Sequence, residues 1–235
     1  VDPAAVAPLK KRLRKVAAAL GEIRDKDVAI TELKTLRQQT GGEVSAAIRK
    51  LVKKLRKSRK QSAEKLANDL PGSAKLKSVF NKTTTNIEQH ALGSLTFGEL
   101  ATLAVESNLA KFRHLSLSVN EDTDSETLHD LRISAKKLRY SIELFKPCVN
   151  PEFAQIATLA ADLQTTLGEA HDADVWIDSL TQFSEDQLSS EAADWLISRF
   201  QEKRVQFFGE ALKTNGTLLQ LTADQFAEHF SESPR

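Results

Sequence analysis

A nine-residue segment occurs twice in this sequence. Leu20-Gly21-Glu22-Ile23-Arg24-Asp25-Lys26-Asp27-Val28 returns 147 residues later as Leu167-Gly168-Glu169-Ala170-His171-Asp172-Ala173-Asp174-Val175, with six of nine positions identical. A repeat constrains the fold strongly. It calls for two copies of one supersecondary unit, each with an apolar face to bury. Each copy sits between two stretches of helical periodicity, and no run alternates in the manner of a strand. In the first copy Leu9, Leu13, Val16 and Leu20 share one helix face. The expectation is an all-α fold of two related helical half-bundles about a pseudo-twofold axis, residues 1–95 and 96–235.

Breaker residues predict where the helices stop. Gly21 and Gly168 are read as C-terminal caps, and the Asp25/Asp27 and Asp172/Asp174 pairs as caps of the helices that follow. Gly41-Gly42 ends the second helix near Gln39. A basic helix then runs from about Glu43 to Asp69, where Pro71-Gly72 stops it. Further helices are predicted over about 73–90, 97–117, 125–146, 151–167, 172–180, 190–213 and 218–229, with an acidic loop over 119–127. Ten helices with short links make a bundle.

Net charge is uninformative, because 33 Lys and Arg stand against 32 Asp and Glu. Its distribution says more. Between Ala46 and Lys60 there are eight Lys or Arg and no acid. Arg49, Lys53, Arg56 and Lys60 form a stripe on one side of that helix. Like charges stacked at this spacing repel by a few tenths of a kcal/mol per pair, so an anion lying on the stripe would be favoured. Arg199, Lys203 and Arg204 form a weaker counterpart, diluted by Glu202. The second basic element is His129-Asp130-Leu131-Arg132-Ile133-Ser134-Ala135-Lys136-Lys137-Leu138-Arg139-Tyr140. At about 100° per residue, His129, Arg132, Lys136 and Arg139 fall within roughly 80° of arc. Leu128, Leu131, Ala135, Leu138, Ile142 and Phe145 face the other way. Such a helix buries one side and presents cations on the other, with Ile133 and Tyr140 beside them. A partly enclosed basic groove explains that mixture better than a fully solvated face.

Other chemistries find little support. The Asp pairs, with His171, could ligate a metal, but capping accounts for them, and Arg24 stands where His171 does in the other copy. Cys148, the single cysteine, has no His or Asp near it in sequence. One cysteine, no signal peptide and no apolar run of about 20 residues lead to the expectation of a cytoplasmic protein. Glycine-rich phosphate loops, HExxH and GxSxG motifs are missing, so neither a cofactor nor an enzymatic activity is expected. The alternative is a general nucleic-acid or acidic-protein binding helical module using the Arg49–Lys60 stripe; two Trp and one Tyr provide no stacking platform in the basic strips, which argues against nucleic acid as partner.

His129-x-x-Arg132-Ile133-x-x-Lys136-Lys137-Leu138-Arg139, followed by Leu167-Gly168-x-x-His171-Asp172-x-Asp174-Val175, resembles the CHAD domain, the conserved-histidine α-helical domain. Phe97-Gly98-Glu99-Leu100 and the first copy of the repeat fit the same pattern. The resemblance implies two half-bundles around a central basic channel, inorganic polyphosphate as ligand, and association with polyphosphate granules. It implies His129, Arg132, Lys136, Lys137 and Arg139 as channel residues. Arg14, Arg24, Arg49, Lys53, Arg56, Lys60 and Lys203 complete the set expected to bind polyphosphate. The resemblance also implies a His/Arg helix ahead of the first half, and these 235 residues start after that point. Lys136 and Lys137 stand where the family typically has Arg. A Lys binds phosphate as a point charge, without the bidentate fork of Arg. Affinity is expected to come chiefly from Lys and Arg. His129 would add a hydrogen bond, or a charge where a nearby anion raises its pKa.

Overall fold

The structure, a computed structural model, describes residues 3–69, 73–90, 95–182 and 188–231. Among them are seven α-helices and no strand: α1 (Pro3–Arg37), α2 (Gly42–Asp69), α3 (Ser73–His90), α4 (Phe97–Ser116), α5 (Ser125–Leu144), α6 (Phe153–Thr181) and α7 (Ser190–Ser231). A short 3-10 turn, Lys146–Cys148, links α5 to α6. No helix among the described residues is long and apolar enough to cross a membrane. The chain forms two compact units, Val1–Ser94 with Glu185–Ala192, and Leu95–Ser184 with Ala193–Arg235.

Several helix starts follow directly from side-chain chemistry. Thr96 caps α4: its hydroxyl accepts from the Glu99 amide, and Glu99 accepts from the Thr96 amide at 2.7 Å, a reciprocal capping box. Asp124 caps α5 by accepting from the Thr127 amide at 2.8 Å. Between α1 and α2 the chain needs a left-handed residue, and Gly42 supplies it at φ 53°.

Three predicted breaks are not breaks. α1 runs through Gly21, α6 through Gly168, and α7 through the expected gap between Lys213 and Leu218. The ten expected helices therefore merge into seven. An internal glycine costs a helix only about 1 kcal/mol, which the packing of a long helix readily offsets. The Asp pairs consequently lie in helix interiors and cap nothing.

In the second unit, α4, α5, α6 and α7 share one core. Val105, Leu109 and Phe112 of α4 meet Leu131, Ala135, Leu138 and Ile142 of α5, and α6 adds Ile156, Ala160, Leu163 and Leu167. Full burial of each large side chain is worth about 1.5–3 kcal/mol. A buried polar clip joins α4 to α7, with Ser116 Oγ donating to Asn215 Oδ1 at 2.7 Å and Asn215 Nδ2 donating to the Ser116 carbonyl at 3.2 Å. The first unit is built mainly on α1 against α2, through Ile30, Leu33, Val44, Ala47, Ile48, Leu51 and Val52. The two copies of the repeat differ in cover. Leu167 is 4% exposed and Leu20 is 53% exposed.

Candidate functional site

Three helices of the second unit wall a narrow cleft with about 20 Å³ of free interior. From α5 come Ser125, Leu128, His129 and Arg132; from α6 come Leu167, Ala170, His171 and Asp174. Both sets follow i, i+3, i+4, i+7, the spacing that puts four side chains on one face of a helix. Arg204 and Phe208, one turn apart on α7, complete the wall. The imidazoles of His129 and His171 lie with ring centroids 6.2 Å apart, tilted at 57° to each other.

Arg132 is held in an unusual way. A Cβ built on Gly168 would stand 3.3 Å from its Nε and 3.6 Å from its Nη2, so the guanidinium crosses α6 where that helix has no side chain. Its Nε is sealed from solvent and meets no protein acceptor. Leaving a buried donor unpaired costs about 1–3 kcal/mol, more for a charged group. Arg12 and Arg199 each bury one unpaired nitrogen too, but neither lines this cleft. Arg204 is oriented differently. Its Nε donates to Asp174 Oδ1 at 2.7 Å, and its guanidinium lies 5.6 Å from the Phe208 ring centroid. Two guanidinium groups and two imidazoles thus line a recess that also has apolar wall from Leu128, Leu167, Ala170 and Phe208. Apolar walls exclude water and strengthen any charge interaction made there.

Of the residues expected from sequence, this cleft gathers His129 and Arg132. Lys136 and Arg139 lie further along α5 and flank the exposed Tyr140, at 5.8 and 5.1 Å from its ring centroid. Arg139 also donates to Glu143 at 2.8 Å, which pushes its pKa further up. Lys137 is exposed. Lys203 is bound to Glu169 at 2.7 Å and does not line the cleft. In the first unit, Arg14 borders an apolar groove with Val6, Leu9, Leu13 and Ala17. Arg24, Arg49, Lys53, Arg56 and Lys60 are all exposed, and Lys60 stands 3.8 Å from Glu64.

The acids of the repeat have a common use. Asp27 takes two hydrogen bonds from Arg59, at 3.0 and 3.1 Å, and Glu22 accepts from Lys26 and from Ser62. In the second copy Asp174 takes Arg204 and Glu169 takes Lys203. The acids therefore clip each hairpin of helices together. Among the described residues no group of three or more His, Cys, Asp or Glu is placed to hold a metal ion. Besides apolar Leu128, Leu167 and Ala170, the cleft residues left out of the sequence-derived set are Ser125, His171, Asp174, Arg204 and Phe208. The signal for His171 and Asp174 lay in the repeat itself, which carries the same i, i+3, i+4, i+7 face.

The fold and this cleft define a helical-bundle domain with a His/Arg helix packed on the repeat-bearing helix. The CHAD domain family model matches residues 1–181, and the chain belongs to that family. No curated protein matches the chain. The match stops short of α7, although α7 supplies Arg204 and Phe208 to the cleft.

Proposed function

We propose that the protein is a binding module for inorganic polyphosphate or a similar phosphate-rich polyanion, and that it acts without catalysing a reaction on it. The observation that carries this reading is the convergence of the Arg132 and Arg204 guanidinium groups with His129 and His171 on one cleft wall, the Arg132 Nη nitrogens reaching the surface while its Nε is packed over Gly168. A phosphate oxygen is the acceptor best suited to these guanidinium groups, since charge-assisted hydrogen bonds to phosphate are about twice as strong as neutral ones. The exposed cations of α2 supply sequence-independent attraction to a long chain. Each neutralised phosphate releases a counterion, so affinity falls steeply with salt. Granule association and a cytoplasmic location belong to the same proposal.

Calorimetric titration with long-chain polyphosphate at two salt concentrations tests it, on the wild type and on Arg132→Gln/Arg204→Gln. Single-stranded DNA is the control, circular dichroism verifies folding, and released phosphate is assayed. Salt-sensitive binding to polyphosphate, weaker binding to DNA, loss in the folded variant and no phosphate release are expected. Equal affinity for DNA would replace this reading with a general polyanion surface. Undiminished binding by the variant would remove the cleft from it.

A further inference from the structure

The cleft holds one group that a simple anion site would exclude. Asp174 lines it together with Arg132, Arg204 and the two imidazoles, and Arg204 engages only Oδ1 of that carboxylate through its Nε. A mid-chain phosphate unit is singly ionised, carries no proton near neutral pH and meets a carboxylate as a like charge. A terminal phosphoryl group is different. Its second ionisation falls near pH 6, about where that of a phosphomonoester lies. In its singly protonated form it has one O–H to donate and several ionised oxygens to accept.

We propose that this cleft is an end-group subsite, which takes the terminal phosphoryl of a linear phosphate chain in preference to its internal units. The proposal rests on the polyanion reading above. In this arrangement the terminal O–H donates to Asp174 Oδ2. The Arg132 Nη nitrogens, the remaining Arg204 nitrogens and an imidazole N–H donate to the other oxygens. Ser125, at the first turn of α5, adds a hydroxyl to the same wall. The apolar contribution of Leu128, Ala170 and Phe208 suits a small group that enters and stops. The next unit of the chain lies toward solvent, where a like charge is less costly. Asp174 therefore reads the proton, and the guanidinium groups read the charge.

The test compares linear tripolyphosphate with cyclic hexametaphosphate, by displacement of a fluorescent polyphosphate at about pH 6. The ring carries more negative charge than the linear ion but has no end. The expected result is linear tripolyphosphate binding at least about tenfold more tightly than the ring, the scale of one charge-assisted hydrogen bond lost. In Asp174→Asn the ring should gain affinity and the linear ion should lose it, whereas a cleft that senses charge alone would gain for both. Competition by phenyl phosphate would extend the subsite to phosphomonoesters and support the same recognition. Equal binding of ring and linear ion by the wild type would overturn the end-group assignment and leave the polyanion reading standing. No binding of either, with long-chain polyphosphate also unbound, would remove both.

Discussion

Two glycines at equivalent places in the repeat should respond differently to the same substitution. Gly21→Ala places a methyl group where nothing lies within 4 Å. It therefore gains the helix propensity of alanine over glycine, about 1 kcal/mol. In a chain of this size that raises the melting temperature by about 2–4 °C. Gly168→Ala gains the same propensity but drives its methyl to 3.3 Å from Arg132 Nε and 3.6 Å from Nη2. The guanidinium must give by a few tenths of an ångström, so the stability gain shrinks and the donor moves off its place in the cleft. Scanning calorimetry of both variants reads the stability, and polyphosphate titration reads the donor. The expected pattern is a stabilised Gly21→Ala with wild-type affinity, and a Gly168→Ala of near wild-type stability with several-fold weaker binding. If Gly168→Ala gains as much stability as Gly21→Ala and binds as well as the wild type, the close passage of Arg132 over α6 does not set the cleft.

Asn215→Ala leaves the buried Ser116 hydroxyl without its acceptor and should cost about 1–3 kcal/mol, read by urea denaturation. Ser116→Ala/Asn215→Leu should recover most of the loss, because neither buried group is then left unpaired. Asp27→Asn breaks a pair that is about half exposed on both sides, and it should change stability by less than about 1 kcal/mol. Glu99 and Asp124 have pKa values held below the ordinary carboxylate range because each accepts hydrogen bonds from a helix-start backbone amide, Thr96 and Thr127 respectively. A lowered folded-state pKa contributes stability above the unfolded-state value and loses it as pH falls through the folded one. The melting temperature should therefore drop below about pH 4, and less steeply in Glu99→Gln, as followed by circular dichroism.

The helix content and most outer boundaries were legible because capping and breaking residues act locally. Thr96, Asp124, Gly41-Gly42 and the stretch before Pro71 mark helix ends by chemistry confined to a few residues. The interior glycines were misread for the same reason. Viewed locally, Gly168 is a stop signal; viewed in three dimensions, it is the gap through which Arg132 passes. That distinction depends on a residue 36 positions away in sequence, beyond the reach of any local pattern. The inward side of α5 was readable from its angular arc. Its cations were not separable by arc alone, since Arg139 is drawn to Glu143 and Gln164 while Arg132 is drawn in over a glycine. Arg204 was hidden inside a basic cluster whose other members, Arg199 and Lys203, point to Glu202 and Glu169.

The paired acids of the repeat also bear on how much the connecting loops can vary. Glu22 and Asp27 reach Ser62 and Arg59 on α2, whereas Glu169 and Asp174 reach Lys203 and Arg204 on α7. Counted from the start of each repeat, the partners stand at different steps along the second helix. In the first hairpin the connection is four residues, 38–41. Long, jointed Lys and Arg side chains let a fixed carboxylate find a cation across more than one helical offset. The α1–α2 hairpin is thus fastened by an adjustable tether, and its loop, 38–41, is the place where insertions or tags should be accepted with the least disturbance.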